Sequence, residues 1–438
     1  MAGEWTTARL ADVVARIQTG PFGSQLHASD YVPSGVPVVM PTNIRDRRID
    51  TEGISYIRDE DANRLSRHKL RQNDLVFSRR GEVDKCALVT RDTVDWLCGT
   101  GCLLARPDEA KCDPAFLSFH ISAPETRDWL KKHAVGLVMP NLNTEILSNI
   151  PLNLPPLGEQ RRIASLLGSI DDKIELNRRM AATLADIARA LFKSWFIDFD
   201  PVRAKMEGRS SGLPDATASL FPSRLDDNGL PKGWAMKKVV DGCLSIFSGG
   251  TPSTTETEYW NGGLPWFSSG ETRYPFVTET EKHISQRAVD ASSTRFARKG
   301  CTVIASAGQG NTRGQTSLLM IDTYVNQSVV VVEADPSNSS DLYLFFDLER
   351  RYEEFRRVSD GQSSRGSLTT KLVGSLPALL PDTEIINIFD REVQPLVNRI
   401  EGLLLQAKSL RSLRDTLLPD LISGKLRIKD AKAAMVAA

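Results

Sequence analysis

The sequence predicts an α+β protein with two mixed α/β modules in tandem, each followed by one long helix that pairs with the other. Three observations support this prediction. Residues 158–197 repeat apolar side chains in alternating steps of four and three, with charged residues between them; this is the pattern of a heptad helix. A second stretch repeats the pattern 226 residues later. The segments before the two helices also match each other, at offsets that drift from 229 to 226, which indicates an internal repeat.

The first predicted helix has one narrow apolar seam and therefore needs a partner helix. It contains no proline, and no isolated glycine after Gly168, so about 38 residues would form a rod of roughly 55 Å. Its one polar seam residue, Asn177, is interpreted as a residue that sets the register of the pair. The seam positions are Ile163, Leu167, Ile170, Ile174, Asn177, Ala181, Leu184, Ala188, Leu191 and Trp195.

The second seam supplies the partner within the same chain. Nine of its ten positions are apolar, and the exception is Arg414. Two unrelated surface helices are the alternative, but the repeat continues outside the helices and disfavours it. The seam positions are Phe389, Val393, Leu396, Ile400, Leu403, Ala407, Leu410, Arg414, Leu417 and Leu421.

Composition is that of an ordinary globular protein. The chain has 438 residues, of which 41% are hydrophobic and 25% charged, so two or more domains with ample cores are expected. The sequence has no run of 18 apolar residues, so no transmembrane helix is predicted. The first residues lack the apolar core of a signal peptide. The six cysteines show no CxxC spacing. These features favour a reducing, cytoplasmic location.

The repeat defines the domain organisation. Residues 5–20 match residues 234–249, and the strand-like stretch 73–81 matches 300–308. Helices are predicted within 111–134 and 339–358, among short β-branched strands. The predicted domains are module one (1–156), helix one (157–200), a linker rich in Pro, Gly and Ser (201–232), module two (233–382), helix two (383–425) and a tail (426–438).

The charge distribution matters more than the total charge. Lys and Arg number 55, as do Asp and Glu, so the net charge alone gives no evidence for nucleic-acid binding. Locally, residues 64–80 hold six basic residues against one acid, and residues 295–313 hold four basic residues and no acid. Such a stretch is commonly a solvated face, but two basic patches at corresponding places in a repeat favour nucleic-acid binding.

Three motifs resemble the specificity subunits of type I restriction-modification systems. They are PPLGEQRRIASLL (155–167), LFKSWFIDFDPVRAK (191–205) and LRSLRDTLLPDLISGKLRI (410–428), and the resemblance covers nearly the whole chain. It implies that each module is a target recognition domain that reads half of a bipartite site in double-stranded DNA. It also implies that the helices form an antiparallel coiled coil, set the gap between the half-sites and dock two methyltransferase (modification) subunits, and that restriction (motor-nuclease) subunits join the complex.

The sequence departs from the family pattern at the turn after the central strand. In similar proteins this turn often runs Arg-x-Gly-x-x-Gly, whereas here Ser78-Arg79-Arg80-Gly81 is followed by Asp84 at the place of the last glycine. Module two has Ser306-Ala307-Gly308 there and no arginine. Contacts therefore cannot be transferred from one module to the other.

Candidate DNA-contacting residues lie at strand ends and in loops. Reading bases requires forked donors such as Arg, Asn and Gln, and cations or small polar groups on phosphates give positioning. An ordinary polar loop is the alternative for each single residue. The candidates are Thr42, Asn43, Arg45, Arg47, Arg48, Lys69, Arg71, Arg79, Arg80, Lys85, Asn141 and Asn143 in module one, and Ser268, Ser269, Arg273, Gln309, Asn311, Arg313, Gln362, Ser364 and Arg365 in module two.

No catalytic or metal-binding motif is found in the sequence. The glycine-rich stretch 308–314 has its last glycine misplaced for a nucleotide loop, and no G-x-x-x-x-G-K-[ST] occurs. The five histidines are scattered. We expect a non-catalytic subunit without its own cofactor. The resemblance assigns S-adenosylmethionine, ATP and magnesium to partner subunits, and implies a complex that is a DNA adenine methyltransferase and an ATP-dependent site-specific endonuclease used in phage defence.

Two other functions remain open at this point. One is a self-contained DNA enzyme with a cryptic site, and the other is a two-module coiled-coil scaffold that binds proteins without recognising DNA. Trp195 and Phe196, near the end of helix one, are also open to two interpretations. They are either core residues of the coiled coil or an exposed anchor that docks a partner subunit.

Overall fold

The computed structural model describes residues 5–45, 47–136, 138–308, 310–360 and 367–431, and it confirms the predicted fold class. The chain divides into two compact units. Unit 1 contains Met1–Glu175 and Lys408–Ala438, and unit 2 contains Leu176–Ala407. Each unit therefore holds one α/β module together with a segment of both long helices.

Unit 1 folds short strands and short helices into the first module. The helices are α1 (Leu10–Val13), α2 (Asp59–Arg64), α3 (Pro114–Ser122), α4 (Pro124–His133) and α5 (Thr144–Ser148), followed by the long helix α6 (Leu157–Phe196). The strands are β1 (Thr6–Arg9), β2 (Val14–Thr19), β3 (Tyr31–Val32), β4 (Val36–Val39), β5 (Ile44–Arg45), β6 (Arg48–Ile49), β7 (Ser55–Ile57), β8 (Leu75–Ser78), β9 (Cys86–Leu88), β10 (Leu97–Cys98), β11 (Cys102–Pro107) and β12 (Pro151–Leu154).

Two four-stranded sheets form the core of module one. Their strand orders are β10-β4-β7-β3 and β2-β11-β8-β9. Val38 and Val39 are consecutive in β4 and both fully buried, and because successive side chains of a strand point to opposite faces, β4 is covered on both sides. Strand β8 is buried along its whole length, which its run Leu-Val-Phe predicts for a central strand.

Within unit 2, the segment predicted as a linker follows α6. This segment contains two short helices, α7 (Asp200–Met206) and α8 (Asp215–Leu220). Val202 and Phe221 are buried in the core of unit 2. The segment is therefore packed against its own unit and is not a free tether.

The rest of unit 2 repeats the architecture of module one. Its helices are α9 (Gln286–Asp290), α10 (Asp341–Glu349), α11 (Tyr352–Asp360), α12 (Thr370–Ser375) and the long α13 (Thr383–Ser423). Its strands are β13 (Ala235–Lys238), β14 (Cys243–Ser248), β15 (Leu264–Phe267), β16 (Phe276–Val277), β17 (Lys282–Ile284), β18 (Arg295–Ala297), β19 (Thr302–Ala305), β20 (Thr316–Leu319), β21 (Thr323–Val325), β22 (Val329–Ala334) and β23 (Pro377–Leu380).

The sheet topology confirms the internal repeat. The order β14-β22-β19-β20 in unit 2 corresponds to β2-β11-β8-β9 in unit 1, and β21-β15-β17 corresponds to β10-β4-β7. The parallel pair β4 and β10 has a parallel counterpart in β15 and β21. The two modules therefore share one frame, although their loops differ.

The helices α6 and α13 pair in an antiparallel arrangement, as predicted. In unit 2, Asn177 Nδ2 donates to Gln406 Oε1 at 2.8 Å, and the rings of Phe192 and Phe389 lie 5.6 Å apart. A higher number on α6 thus pairs with a lower number on α13. In unit 1, Arg414 Nη1 donates to Asp171 Oδ1 at 2.8 Å. The predicted seam residues are buried or half-buried in both helices.

Candidate nucleic-acid interface

Strand β8 delivers two arginines to the surface of module one. Its apolar run ends at Ser78, and Arg79 and Arg80 follow at once. The backbone N–H of Arg79 donates to Gly101 O at 2.8 Å, and Arg79 O accepts from Leu142 N at 2.9 Å. The Arg79 Nε also donates to Asn141 Oδ1 at 3.3 Å. The structure therefore brings Arg79, Arg80 and Asn141 together from distant parts of the sequence.

The electrostatics of this strand end suit an anion. Arg80 is exposed and Arg79 is half-buried. Burial, and then the neighbouring Arg80, lowers the pKa of the Arg79 guanidinium, but the ordinary value of arginine is so high that the group stays charged at neutral pH. Two adjacent guanidinium groups held by backbone bonds can make forked contacts with phosphates or base edges.

Further candidates lie at the same end of the strand. Because β11 runs antiparallel to β8, the turn before β11 meets the end of β8. A Cβ on Gly101 in this turn would lie 2.8 Å from Pro41, which places Thr42 close by. Lys85 O accepts from Ser78 N at 3.0 Å. We name Thr42, Arg79, Arg80, Lys85 and Asn141 the β8-end surface. Asn143 caps α5 beside it, accepting from Ile146 N at 2.7 Å.

Two basic candidates lie away from the β8-end surface. Arg71 precedes β8, whereas Arg79 follows it, so the two arginines are at opposite ends of the strand. Lys69 donates to Asn63 Oδ1 at 2.9 Å. The basic window 64–80 is therefore divided by a buried strand and is not one patch.

Four candidates near residue 45 make contacts within the protein. Asn43 is 1% exposed, accepting from Met40 N at 3.0 Å and donating to Glu52 O at 3.2 Å. Arg45 pairs with Asp50 and Glu52 within the same turn region, at 3.1 Å each. Because Asn43 is buried, its assignment as a DNA-contacting residue is corrected: its side chain stabilises the turn in which it lies.

Arg47 and Arg48 contact acidic residues of the long helix. Arg47 pairs with Asp171 of α6, and Arg48 Nη2 contacts Asp172 Oδ1 at 2.9 Å. The side chain of Arg47 is 14% exposed. Both arginines contact the helix from the β5–β6 hairpin. Arg47 is mostly buried and is corrected to a role in packing the module, whereas Arg48 is partly exposed and its assignment stays a prediction.

Module two presents the same strand end with different chemistry. Ser306 stands where Arg79 stands in module one: Ser306 N donates to Ser328 O at 2.9 Å, and Ser306 O accepts from Leu368 N at 2.9 Å. The next residue is Ala307, where module one has Arg80. Asn311 is exposed nearby in sequence. The equivalence of these backbone bonds shows that one frame carries two different surfaces.

The other candidates of module two are mostly engaged within the module. Ser268 Oγ donates to Glu271 at 3.1 Å, and Ser269 begins the following turn. Arg273 pairs with Glu281 and lies over the Tyr274 ring, 4.7 Å from its centroid. Arg313 is 7% exposed and pairs with Asp360, so it is corrected to a buried residue. Gln309, Gln362, Ser364 and Arg365 lie outside the described residues.

Two polar residues of the same surfaces were missed from the sequence. Thr100 and Gln327 occupy the turns before β11 and β22, at an offset of 227. Gln327 is exposed, and its Oε1 accepts from Thr251 Oγ1. The turn before a strand antiparallel to β8 or β19 must lie beside the end of that strand. That rule, applied to the repeat, would have identified both residues.

Trp195 and Phe196 do not lie on a surface. Each is 1% exposed and belongs to the core of unit 2. Phe196 packs edge-to-face on Tyr343 at 4.9 Å, and Trp195 on Phe221 at 5.2 Å. The structure thus corrects their assignment as docking residues to core residues.

Neither a metal site nor a membrane helix is seen in the part of the chain that the structure describes. No group of three or more His, Cys, Asp or Glu side chains among these residues could hold a metal ion. No helix among them combines the length and apolarity needed to span a membrane. The candidate surfaces are built from donors and backbone turns, which suits recognition of a polyanion.

Comparison with known proteins finds similarity to one family. A family model described as a type I restriction modification DNA specificity domain matches residues 3–185. This part of the chain is similar to a type I restriction modification DNA specificity domain. The matched region contains the β8-end surface and most of α6. The resemblance to specificity subunits seen in the sequence is confirmed.

Relatives of the specificity domain extend over most of the chain. The type I restriction enzyme HindI specificity subunit of Haemophilus influenzae is 25% identical, covering 82% of this chain and 87% of that protein. The MjaIX specificity subunit of Methanocaldococcus jannaschii is 23% identical, covering 72% and 69%. The crystal structure of the type I S subunit from M. genitalium matches with a TM-score of 0.51 and 15% identity over 96% of both chains, which supports the fold.

Replacing both Arg79 and Arg80 by alanine should weaken DNA binding of the assembled complex by a few kcal/mol, taking about 1–3 kcal/mol for each good base contact. Arg71→Ala is the matched control, because it removes a cation from the same window at the other end of β8. Affinity measured over a salt series gives the answer. Equal losses of DNA affinity in the double variant and the control would argue against a role of the β8-end surface in DNA binding.

Proposed function

We propose that this chain is the non-catalytic DNA-specificity subunit of a type I restriction-modification complex, in which each module reads one half of a bipartite site in double-stranded DNA. One observation carries the proposal. The two modules hold the same strand end by the same backbone bonds, to Leu142 and to Leu368, yet present Arg79-Arg80 in one and Ser306-Ala307 in the other. A constant frame with different donors is what reading two different base sequences requires.

The chemistry of the two surfaces predicts different recognition. In module one, guanidinium forks favour guanine edges in the major groove, where O6 and N7 accept bidentate bonds. In module two, Gln327 and Asn311 are exposed amides, and amides pair well with the N6 and N7 atoms of adenine. The half-sites should therefore differ in sequence.

The chain would act with partner subunits that supply the chemistry. We propose that methyltransferase subunits bring S-adenosylmethionine and that restriction subunits bring ATP and magnesium. The assembled complex would be a DNA adenine methyltransferase and an ATP-dependent site-specific endonuclease. The specificity subunit itself would contribute the choice of site and the platform on which the other subunits assemble.

A docking face for a partner helix is available on α6 within unit 2. Leu176 and Ile187 are each 50% exposed and Met180 is 36% exposed. Thr183 and Ala190 are also exposed and continue the alternating steps of four and three. We name these five residues the outer stripe. A narrow, mostly apolar stripe at heptad spacing fits a helix of a partner, and we assign to it the methyltransferase docking first predicted for Trp195 and Phe196.

Exchanging module two should change one half of the modified site. If residues 233–381 are replaced by the equivalent module of a relative, the half-sequence read by module one should persist and the other half should change, because each module has its own core. Sequencing of methylated genomic DNA measures both halves at once. A change in both halves would contradict independent modules.

Charging the outer stripe should break the assembly. Leu176→Glu together with Ile187→Glu places two carboxylates where a partner helix would pack, and burying them unpaired is costly. Met206→Glu is the control, since Met206 is 51% exposed and lies off the stripe, on α7. Co-purification with the cognate methyltransferase subunit is the measurement. If the stripe variant binds as well as the control, the methyltransferase docks elsewhere.

A further inference from the structure

A buried ion cluster connects module one to both long helices within unit 1. Asp171 of α6 lies between Arg47 of the β5–β6 hairpin and Arg414 of α13. Arg414 Nη1 donates to Asp171 Oδ1 at 2.8 Å. The exposed fractions of the three side chains are only 14% for each arginine and 8% for Asp171. One carboxylate of α6 therefore holds groups from two other elements, the β5–β6 hairpin and α13.

Several contacts hold the module side of this cluster. The guanidinium of Arg47 lies over the ring of Phe119 in α3, 3.5 Å from its centroid, at a distance typical of a cation–π contact. Arg47 has a φ of +62°, in the left-handed region that non-glycine residues rarely adopt. Its carbonyl accepts from Leu88 N at 3.1 Å. This arrangement directs the side chain at Asp171 and leaves it little freedom.

The fold that the two modules share does not require this ion cluster, because unit 2 has apolar residues at the equivalent helix positions. Shifting Asp171 by 226 residues gives Val397, and shifting Arg414 back gives Ala188, and both of these are buried apolar residues of unit 2. There, an aromatic cluster that includes Phe192, Tyr343 and Phe389 joins the helices to the module. A charged carboxylate between two arginines is costly to bury and has stringent geometry, whereas apolar packing is non-directional. The ion cluster thus adds orientation rather than stability alone.

We propose that Asp171 is a positioning residue that orients module one on the helix pair and thereby fixes the length of the gap between the two half-sites. This inference rests on the proposed function, since a gap exists only if both modules read DNA. Asp171 touches no candidate base-reading surface: the β8-end surface is formed by other elements of the module. Its loss should therefore alter spacing without altering either half-sequence.

The test is Asp171→Asn in the assembled methyltransferase complex, read by sequencing methylated DNA. Wild type should methylate one bipartite sequence with one gap length. The variant should keep both half-sequences and accept a second gap length, one base pair longer or shorter, in at least a tenth of modified sites. Asp171→Glu should restore the single gap. Asp172→Asn is the matched control, because Asp172 is 80% exposed and its pair with Arg48 should contribute little.

The outcomes separate this inference from the proposed function. If wild type modifies no bipartite sequence, the proposed function fails. If wild type does and Asp171→Asn keeps a single unchanged gap, the positioning role is overturned. If the Asp171→Asn variant does not assemble, the same sequencing is done with Arg47→Gln, which removes only the module's contribution to the cluster. A second gap length supports the inference, and a single unchanged gap length overturns it.

Discussion

The apolar seam shared by α6 and α13 is the constraint on which the rest of the structure depends. A single long helix with one narrow seam cannot bury that seam alone, so the chain supplies its own partner in antiparallel orientation. Asn177 and Gln406 form a polar pair on this interface, and a polar pair among apolar neighbours penalises other registers. Because both helices have segments in both compact units, each module folds around a helix pair and not beside a single helix.

The two modules show how one frame can carry two surfaces. A Cβ on Gly20 would lie 1.9 Å from Gly99 O, and a Cβ on Gly249 would lie 1.9 Å from Val325 O. Both sites need glycine because a neighbouring backbone passes too close for any side chain. Such contacts preserve the sheets, while the side chains after β8 and β19 are free to differ. Recognition can therefore change without rebuilding the core.

Long-range periodicity made the fold predictable, whereas local polarity identified the candidate site only in part: it found the β8-end surface but also selected residues that are engaged elsewhere. The heptad seams and the matching strands follow from simple spacing, and they agree with the buried positions. Asn43 and Arg47 looked like loop donors because they lie in a polar stretch, but tertiary contacts with Met40, Glu52 and Asp171 engage them. Arg414 was the exception on an apolar seam, and only its contact with Asp171 explains it. Whether Trp195 and Phe196 are exposed or buried similarly depends on which residues pack over them, and the sequence does not show this.

The most direct test of the account is to lengthen the helix pair by one heptad. Because Asn177 pairs with Gln406, the position opposite Ala181 is Gly402, so seven residues should be inserted after Ala181 and after Glu401. This keeps the seam in register and adds about 10 Å, equivalent to about three base pairs at 3.4 Å each. Sequencing of methylated DNA should show both half-sequences unchanged and a gap longer by about three base pairs. An assembled, active variant with the original gap would contradict the account.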